Sequence, residues 1–161
     1  MTSGAAVDDA GQSAAEPERS LDLAGSVVKG RYRVNAIASV GRDVVVYTAV
    51  DIRYQRPIAL KVLRDQFAAD PAFVAAVREQ ACTLALRSHA HRRVTRVYEC
   101  DTMDDGRLFV AVERTKGATL REVLDARGPL DPSTALRIAS RVGEALEALH
   151  HSKIIHGQLR T

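Results

Sequence analysis

The sequence predicts an α+β fold, in which an antiparallel sheet of about five strands has helices segregated around it. Three observations lead to this prediction. Short runs rich in β-branched residues follow one another between residues 31 and 63. A segment with helical spacing separates them from two further strand-like runs, which end at residue 113. Two more helical segments complete the order β-β-β-α-β-β-α-α.

The predicted strands are separated by turn residues. The first three are RYRVNAIA (31–38), DVVVYTAV (43–50) and RPIALKVL (56–63). A connection of about four residues that includes Gly41 makes the first two an antiparallel hairpin. The last two strands are VTRVYEC (94–100) and RLFVAVE (107–113), and Asp105-Gly106 between them is a strong hairpin turn.

The predicted helices carry start signals. Segments 70–81 and 131–151 both begin with Asp-Pro. The aspartate accepts hydrogen bonds from free N–H groups of the first turn, and a proline at the first helical position has no N–H to leave unpaired. Between these two segments, Thr119 and Glu122 have the spacing of a capping box, and Gly128 ends the helix.

Composition limits the classes of function. Apolar residues make up 46% of the 161 residues, which is enough for a core, and the formal net charge is +3. That charge falls short of a nucleic-acid-binding field, so the basic cluster at 89–96 is interpreted as solvated loop. Residues 1–20 lack the basic start and the apolar core that define a signal peptide, and no run approaches about 20 apolar residues. We therefore expect no membrane segment and a cytoplasmic location.

The first 24 residues are rich in Ala, Ser, Gly and acidic side chains, and we expect a disordered tail there because such a segment buries too little surface. Cys82 and Cys100 have neither metal-ligand spacing nor the pattern of a disulfide framework. We expect both to be ordinary buried thiols, and their sparsity suits a reducing compartment.

Five segments, in this order, resemble the bacterial eukaryotic-like serine/threonine protein kinases. They are IALKVL (58–63), DPAFVAAVREQA (70–81), HRRVTRVYE (91–99), LFVAVERTKGATLREVL (108–124) and HGQLRT (156–161). The resemblance implies a kinase-like N-terminal lobe at 25–113, with a five-stranded antiparallel sheet and one helix. It implies that 114–161 hold the hinge and the first two helices of the C-terminal lobe, ending at a degenerate catalytic loop.

The resemblance also implies a nucleotide pocket. Lys61 takes the position of the lysine that binds the α- and β-phosphates, and either Gln80 or Glu79 takes that of the helix residue that orients it. The other pocket positions fall on Gly41 in the glycine-rich loop, on Val46 and Ala59 around adenine, on Val112 at the back wall, and on the hinge backbone at Glu113 and Thr115. Packing in a sheet core is an equally good interpretation of the apolar members of this set.

The chain departs from the family's pattern at the positions that bind phosphate, transfer the proton and hold the metal ion. Only Gly41 remains of the three loop glycines, since Ser39 and Val44 replace the others. Gln158 occupies the position of the catalytic aspartate, and a neutral amide cannot take a proton from a substrate hydroxyl. No catalytic residue is therefore assigned. No metal site is assigned either, because the family's metal-binding Asn and D-F-G aspartate have no counterpart before Thr161.

We therefore expect a truncated, pseudokinase-like domain that is catalytically inactive and acts through protein–protein contacts in signalling or regulation. The alternative is an ATP-binding serine/threonine kinase relative with residual or partner-dependent phosphotransfer. ATP is not required in the first case and binds weakly at most. The contacts are expected on the 131–151 helix, with a protein partner or a second copy, because an apolar stripe there needs cover. The helix at 119–127 is the third candidate for that cover. The stripe consists of Ile138, Val142, Leu146 and Leu149.

Overall fold

The computed structural model describes residues 21–87, 92–151 and 153–154. The strands in these ranges are β1 (Val27–Val28), β2 (Tyr32–Val40), β3 (Val44–Asp51), β4 (Arg56–Leu63), β5 (Val97–Thr102) and β6 (Leu108–Glu113). The helices are α1 (Asp65–Ala68), α2 (Pro71–Arg87), α3 (Leu120–Arg127) and α4 (Pro132–His151). The predicted α+β fold is confirmed.

The strands form one antiparallel sheet in the order β1-β2-β3-β4-β6-β5. The five predicted strands are β2 to β6, and the two-residue β1 adds a sixth by pairing with β2. The expected number was one too small because two residues carry no periodicity. Helix α1 was also not predicted, since its four residues are less than two turns of helix.

One face of the sheet carries the hydrophobic core. Tyr32, Tyr47, Ile58, Leu60 and Phe109 are fully buried there. The rings of Tyr32 and Phe109 meet edge to face, with centroids 5.7 Å apart. Burying one such side chain contributes about 1.5–3 kcal/mol, so this face supplies much of the stability of the sheet.

The N-terminal segment packs against that core. Leu21 and Leu23 are half-buried against it, and the Tyr47 hydroxyl donates a 2.7 Å hydrogen bond to the Leu21 carbonyl. Residues 21–24, which we expected in the disordered tail, therefore belong to the packed fold. Residues 1–20 lie outside the described residues.

The helix starts form as predicted. Asp70 accepts hydrogen bonds from the backbone of Ala72 and Phe73 at 2.9 and 3.2 Å, and Asp131 accepts one from Thr134 at 3.0 Å. Both halves of the capping box at Thr119 are present, and Gly128 follows α3 with φ of 74°. Local polar chemistry thus sets where these helices begin and where α3 ends.

Helix α2 is joined to β5 by a polar contact. The Arg78 guanidinium donates a 2.5 Å hydrogen bond to the Thr102 hydroxyl. Nearby, Cys82 on α2 is exposed and Cys100 on β5 is half-buried. The expectation that both thiols are buried is wrong for Cys82, which is exposed to solvent although its helix packs against β5.

Charged side chains link β2, β3, β4 and β5 at one end of the sheet. Asp51 is completely buried and binds Arg31 and Arg56. Arg31 also pairs with Glu99, which accepts a 2.5 Å hydrogen bond from the Tyr32 hydroxyl.

No helix within the described residues is long and apolar enough to cross a membrane.

Candidate functional site

Four of the predicted pocket residues lie on the second face of the sheet. Val46 pairs with Lys61 across β3 and β4, and Ala59 pairs with Val112 across β4 and β6. Directly paired residues project to the same side of a sheet. The register therefore places Val46, Ala59, Lys61 and Val112 together, opposite the core.

A cleft lies between this face and α4. It encloses a cavity of about 530 Å³, and its walls are mainly apolar side chains of β5, β6, α2 and α4. Arg93 is paired with Glu144 at 2.8 Å, whereas Lys61 and Arg141 have no ion pair within the described part of the chain. The lining residues are Lys61, Leu84, Arg93, Val94, Thr95, Val97, Val112, Ile138, Arg141, Val142, Ala145, Leu146 and Leu149.

The apolar stripe of α4 forms one wall of this cleft. Leu149 is buried and the other three predicted members are half-buried. The stripe faces the sheet and α2 across the cavity. We had expected it to find cover against the helix at 119–127, a second copy or a partner. Leu136, on the same helix, is 72% exposed.

A smaller cavity of about 170 Å³ lies between β4 and α2. Gln80 lines this cavity together with Lys61, whereas Glu79 does not line it. A side-chain amide can accept a hydrogen bond from an ammonium group but carries no charge to balance it. Gln80 therefore shares the cavity with Lys61 but carries no charge that could balance the lysine.

The loop between β2 and β3 is a closed hairpin. The Gly41 N–H donates a 2.9 Å hydrogen bond to the Val44 carbonyl, and the Asp43 carbonyl accepts one of 3.0 Å from the Arg64 N–H. A Cβ added at Gly41 would come within 3.0 Å of the Val44 oxygen. A side chain at position 41 would therefore crowd the Val44 carbonyl, and the Gly41 N–H is already used within the hairpin.

The segment after β6 leaves one backbone position open. The Glu113 N–H donates a 2.8 Å hydrogen bond to the Arg96 carbonyl, and the Glu113 carboxylate accepts one of 3.4 Å from the Arg96 N–H. Thr115 is exposed, and its backbone forms no hydrogen bond with another described residue. Of the two hinge positions, Thr115 has the freer backbone.

Comparison with known families bears on this arrangement. Residues 33–161 match the model of the protein kinase domain. The chain belongs to the protein kinase family. The resemblance to bacterial serine/threonine kinases is thereby confirmed, together with the kinase-like fold.

Similar proteins are bacterial kinases. The serine/threonine-protein kinase PrkC of Bacillus subtilis is 31% identical over 138 residues, which are 86% of this chain and 21% of PrkC. PknL of Mycobacterium tuberculosis is 33% identical over 139 residues, again 86% of this chain and 34% of PknL. The chain thus spans about a fifth to a third of the length of these relatives.

Solved structures of the Mycobacterium tuberculosis PknI kinase domain share the fold. One of them superposes with a TM-score of 0.75 at 24% sequence identity, over 85% of this chain and 55% of the other. A likeness at this level of identity concerns the fold alone. It fits a sheet and helices arranged as in the N-terminal lobe and the start of the C-terminal lobe.

Kinases bind ATP together with magnesium. In this chain the described residues suit the adenine base of such a ligand better than its phosphates and metal ion. Val46, Ala59 and Val112 offer an apolar face that suits a flat base. No carboxylate lines either cavity described above. Among the described residues, no group of three or more His, Cys, Asp or Glu could hold a metal ion. These residues do not fit a metal–phosphate group.

The degenerate catalytic loop is outside the described residues, so Gln158 has no structural account here. The cleft includes residues that sequence reasoning did not assign to a site, among them Leu84, Val97 and Arg141. Arg141 lies three positions after Ile138 on α4, and that helical spacing is the signal that could have placed it beside the stripe.

Proposed function

We propose that this kinase-family chain is a pseudokinase-like module without phosphotransfer activity of its own, which acts through protein contacts in signalling or regulation. The observation that carries the proposal is that Lys61 shares its cavity with Gln80. In active kinases the corresponding lysine is held by a helix carboxylate, and that pair must be in place for catalysis.

Two further features support inactivity. The Gly41 N–H is bonded within the β2–β3 hairpin, so it does not point freely at a phosphate. Gln158 stands where the family has its aspartate, and loss of positioned acid–base help costs on the order of 10²–10⁴ in rate. Phosphate binding and proton transfer are thus both impaired by this chain's own residues.

The contact surface of the proposal is the cleft beside α4. Its floor is apolar, and Lys61 and Arg141 provide positive charge in a lining without carboxylates. A second copy would bring the same cations to a symmetric interface. Charge complementarity therefore favours a partner segment with one apolar face and acidic flanks over self-association.

A second candidate function is weak ATP binding with residual or partner-dependent phosphotransfer. It is favoured by the common face of Val46, Ala59, Lys61 and Val112, which the strand register brings together. In this case the apolar face binds the adenine base, and a partner supplies the polar groups that bind the phosphates and the metal ion.

A phosphotransfer assay tests the first proposal against the second. Wild type and Lys61→Met are incubated with radiolabelled ATP, magnesium and a basic acceptor protein, with an active kinase as reference. We expect equal, background incorporation for both chains. Incorporation by wild type that Lys61→Met abolishes would overturn the proposal and support the second candidate.

The contact surface is tested with a fluorescent amphipathic peptide that has leucines on one face and glutamates beside them. We expect binding that weakens as salt rises and that is lost in Val142→Asp. Ser140→Asp is the matched control, since it adds the same charge to the same helix at an exposed position outside the cleft lining. Equal binding by both variants, or binding of a second copy in place of the peptide, would contradict this choice of partner.

A further inference from the structure

The two cysteines of the chain are neighbours in space. Cys82 lies on α2 and Cys100 on β5, and these two elements pack directly against each other. Cys82 is exposed to solvent, whereas Cys100 is half-buried. Both are free thiols. Cys82 is thus accessible to a small oxidant, whereas Cys100 is partly shielded from it.

The contact is fixed by the packing of the two elements. Arg78 precedes Cys82 by four residues, so both lie on the same side of α2. Thr102 follows Cys100 by two residues, so both project from the same face of β5. The 2.5 Å hydrogen bond from Arg78 to Thr102 therefore brings Cys82 and Cys100 to neighbouring positions on α2 and β5.

We propose that Cys82 and Cys100 form a reversible intramolecular disulfide, which acts as a peroxide-sensitive link between α2 and β5. A disulfide needs an S–S distance of about 2.05 Å. Closure therefore requires α2 and β5 to approach each other at the two cysteines. Disulfides of this kind in reducing compartments are usually transient and regulatory.

The chemistry balances with hydrogen peroxide as the oxidant. The thiolate of Cys82 attacks one peroxide oxygen, the O–O bond breaks, and after proton transfer Cys82 carries a sulfenic acid while water leaves. The sulfur of Cys100 then attacks the sulfur of Cys82, the S–O bond breaks, and a second water leaves. Two thiols have lost two electrons and two protons to one peroxide. A dithiol reductant returns the electrons by thiol–disulfide exchange.

The environments of the two sulfurs determine which cysteine reacts with peroxide first. Burial raises the pKa of Cys100 to about 11, and the nearby Cys82 contributes to the increase. Cys100 therefore stays protonated until the sulfenic acid forms beside it. The exposed Cys82 meets peroxide first, and Cys100 resolves the intermediate.

The link would act on the candidate nucleotide site through α2. This helix carries Gln80, which lines the cavity with Lys61. A covalent bond from Cys82 to β5 holds the helix, and with it Gln80, at a fixed distance from the sheet. The inference does not depend on whether the chain binds ATP or transfers phosphate, because it rests on the thiols and their packing alone.

Peptide mapping tests the link directly. The chain is treated with hydrogen peroxide, quenched with N-ethylmaleimide and digested with trypsin without reduction. Cleavage after Arg78, Arg87, Arg96 and Arg107 places the cysteines in peptides 79–87 and 97–107. We expect these two peptides to be joined, in a yield independent of protein concentration, and to separate on adding dithiothreitol.

Single variants provide the controls. Neither Cys82→Ser nor Cys100→Ser can give the joined peptides, and Cys82→Ser changes an exposed position, so its fold is expected to be retained. Oxidised wild type is expected to melt several degrees above reduced wild type, and Cys82→Ser is expected to show no such difference. Two alkylated thiols after a treatment that oxidises free cysteine, or joined peptides found only between molecules, would overturn the proposal.

Discussion

Arg31 donates two hydrogen bonds to the carboxylate of Asp51, one of 3.0 Å from Nε to Oδ1 and one of 2.8 Å from Nη2 to Oδ2. Arg56 adds contacts of 3.3 Å to Oδ2, and the Arg53 N–H donates one of 3.2 Å to Oδ1. The Asp51 side chain is fully buried, whereas that of Arg31 is 21% exposed. A buried carboxylate is tolerated only when paired in this way, so Asp51 holds the ends of β2, β3 and β4 together.

Replacing Asp51 with Asn is expected to destabilise the fold by about 3 kcal/mol, because two guanidinium groups lose their charged partner at a buried position. Urea denaturation followed by circular dichroism measures the change. Asp104→Asn is the matched control, since Asp104 is 91% exposed and pairs with Lys29 at 3.5 Å. Its effect is expected within about 0.5 kcal/mol. Equal losses in the two variants would contradict the role of Asp51.

Stability is also expected to depend on pH through Asp51. The hydrogen bonds from Arg31 hold the pKa of Asp51 below its ordinary value in the folded state, although burial acts in the opposite direction. The contribution of this group is therefore complete above an unfolded-state pKa of about 4 and is lost as pH falls through the lower folded-state pKa. Unfolding free energies from about pH 2 to pH 7 test this. The acid-side loss should be smaller in Asp51→Asn, and an unchanged pH profile would refute the assignment.

Changing Gln80 to Glu is expected to strengthen ATP binding by up to about fivefold, because a partly exposed ion pair with Lys61 is worth about 0.2–1 kcal/mol. Isothermal titration calorimetry provides the dissociation constants. Glu79→Gln is the control, and we expect no change in affinity because Glu79 does not line the cavity with Lys61. The reverse outcome, a loss with Glu79→Gln and no gain with Gln80→Glu, would assign the orienting position to Glu79.

The same change from leucine to alanine is expected to have different effects on stability at a buried and at an exposed position. Leu60→Ala is expected to cost about 2–5 kcal/mol, because Leu60 is fully buried in the sheet core. Leu136→Ala on α4 should change stability by less than about 0.5 kcal/mol, since that side chain is 72% exposed. Chemical denaturation compares the two variants. A large loss at Leu136 would indicate that it is covered by another part of the protein.

Some elements could be predicted from sequence because local chemistry determines them. Strand β4 is found at the predicted residues 56–63, since alternating apolar residues follow a turn that includes Gln55. The helix starts at Asp70, Thr119 and Asp131 were likewise encoded by side chains that bond to neighbouring N–H groups. By contrast, β1 exists only through its pairing with β2, which no local pattern reveals.

The sequence predicted which residues belong to the candidate site, but not how they are arranged in space. Motif positions identified Lys61, Val46, Ala59 and Val112, and the strand register brings these four to one face. The choice between Gln80 and Glu79 could not be made from sequence, because one residue turns a helix position by about 100°. The proximity of Cys82 and Cys100 was also missed, since it depends on how α2 packs against β5.

The most direct test of the account is the unfolding temperature of wild type and Lys61→Met with millimolar ATP, with and without magnesium. A ligand at about a hundredfold excess over its dissociation constant stabilises the folded state by about 2.7 kcal/mol. Because no carboxylate lines the cavities around Lys61, we expect at most a small shift that magnesium does not increase. A large shift that requires magnesium and disappears in Lys61→Met would contradict it.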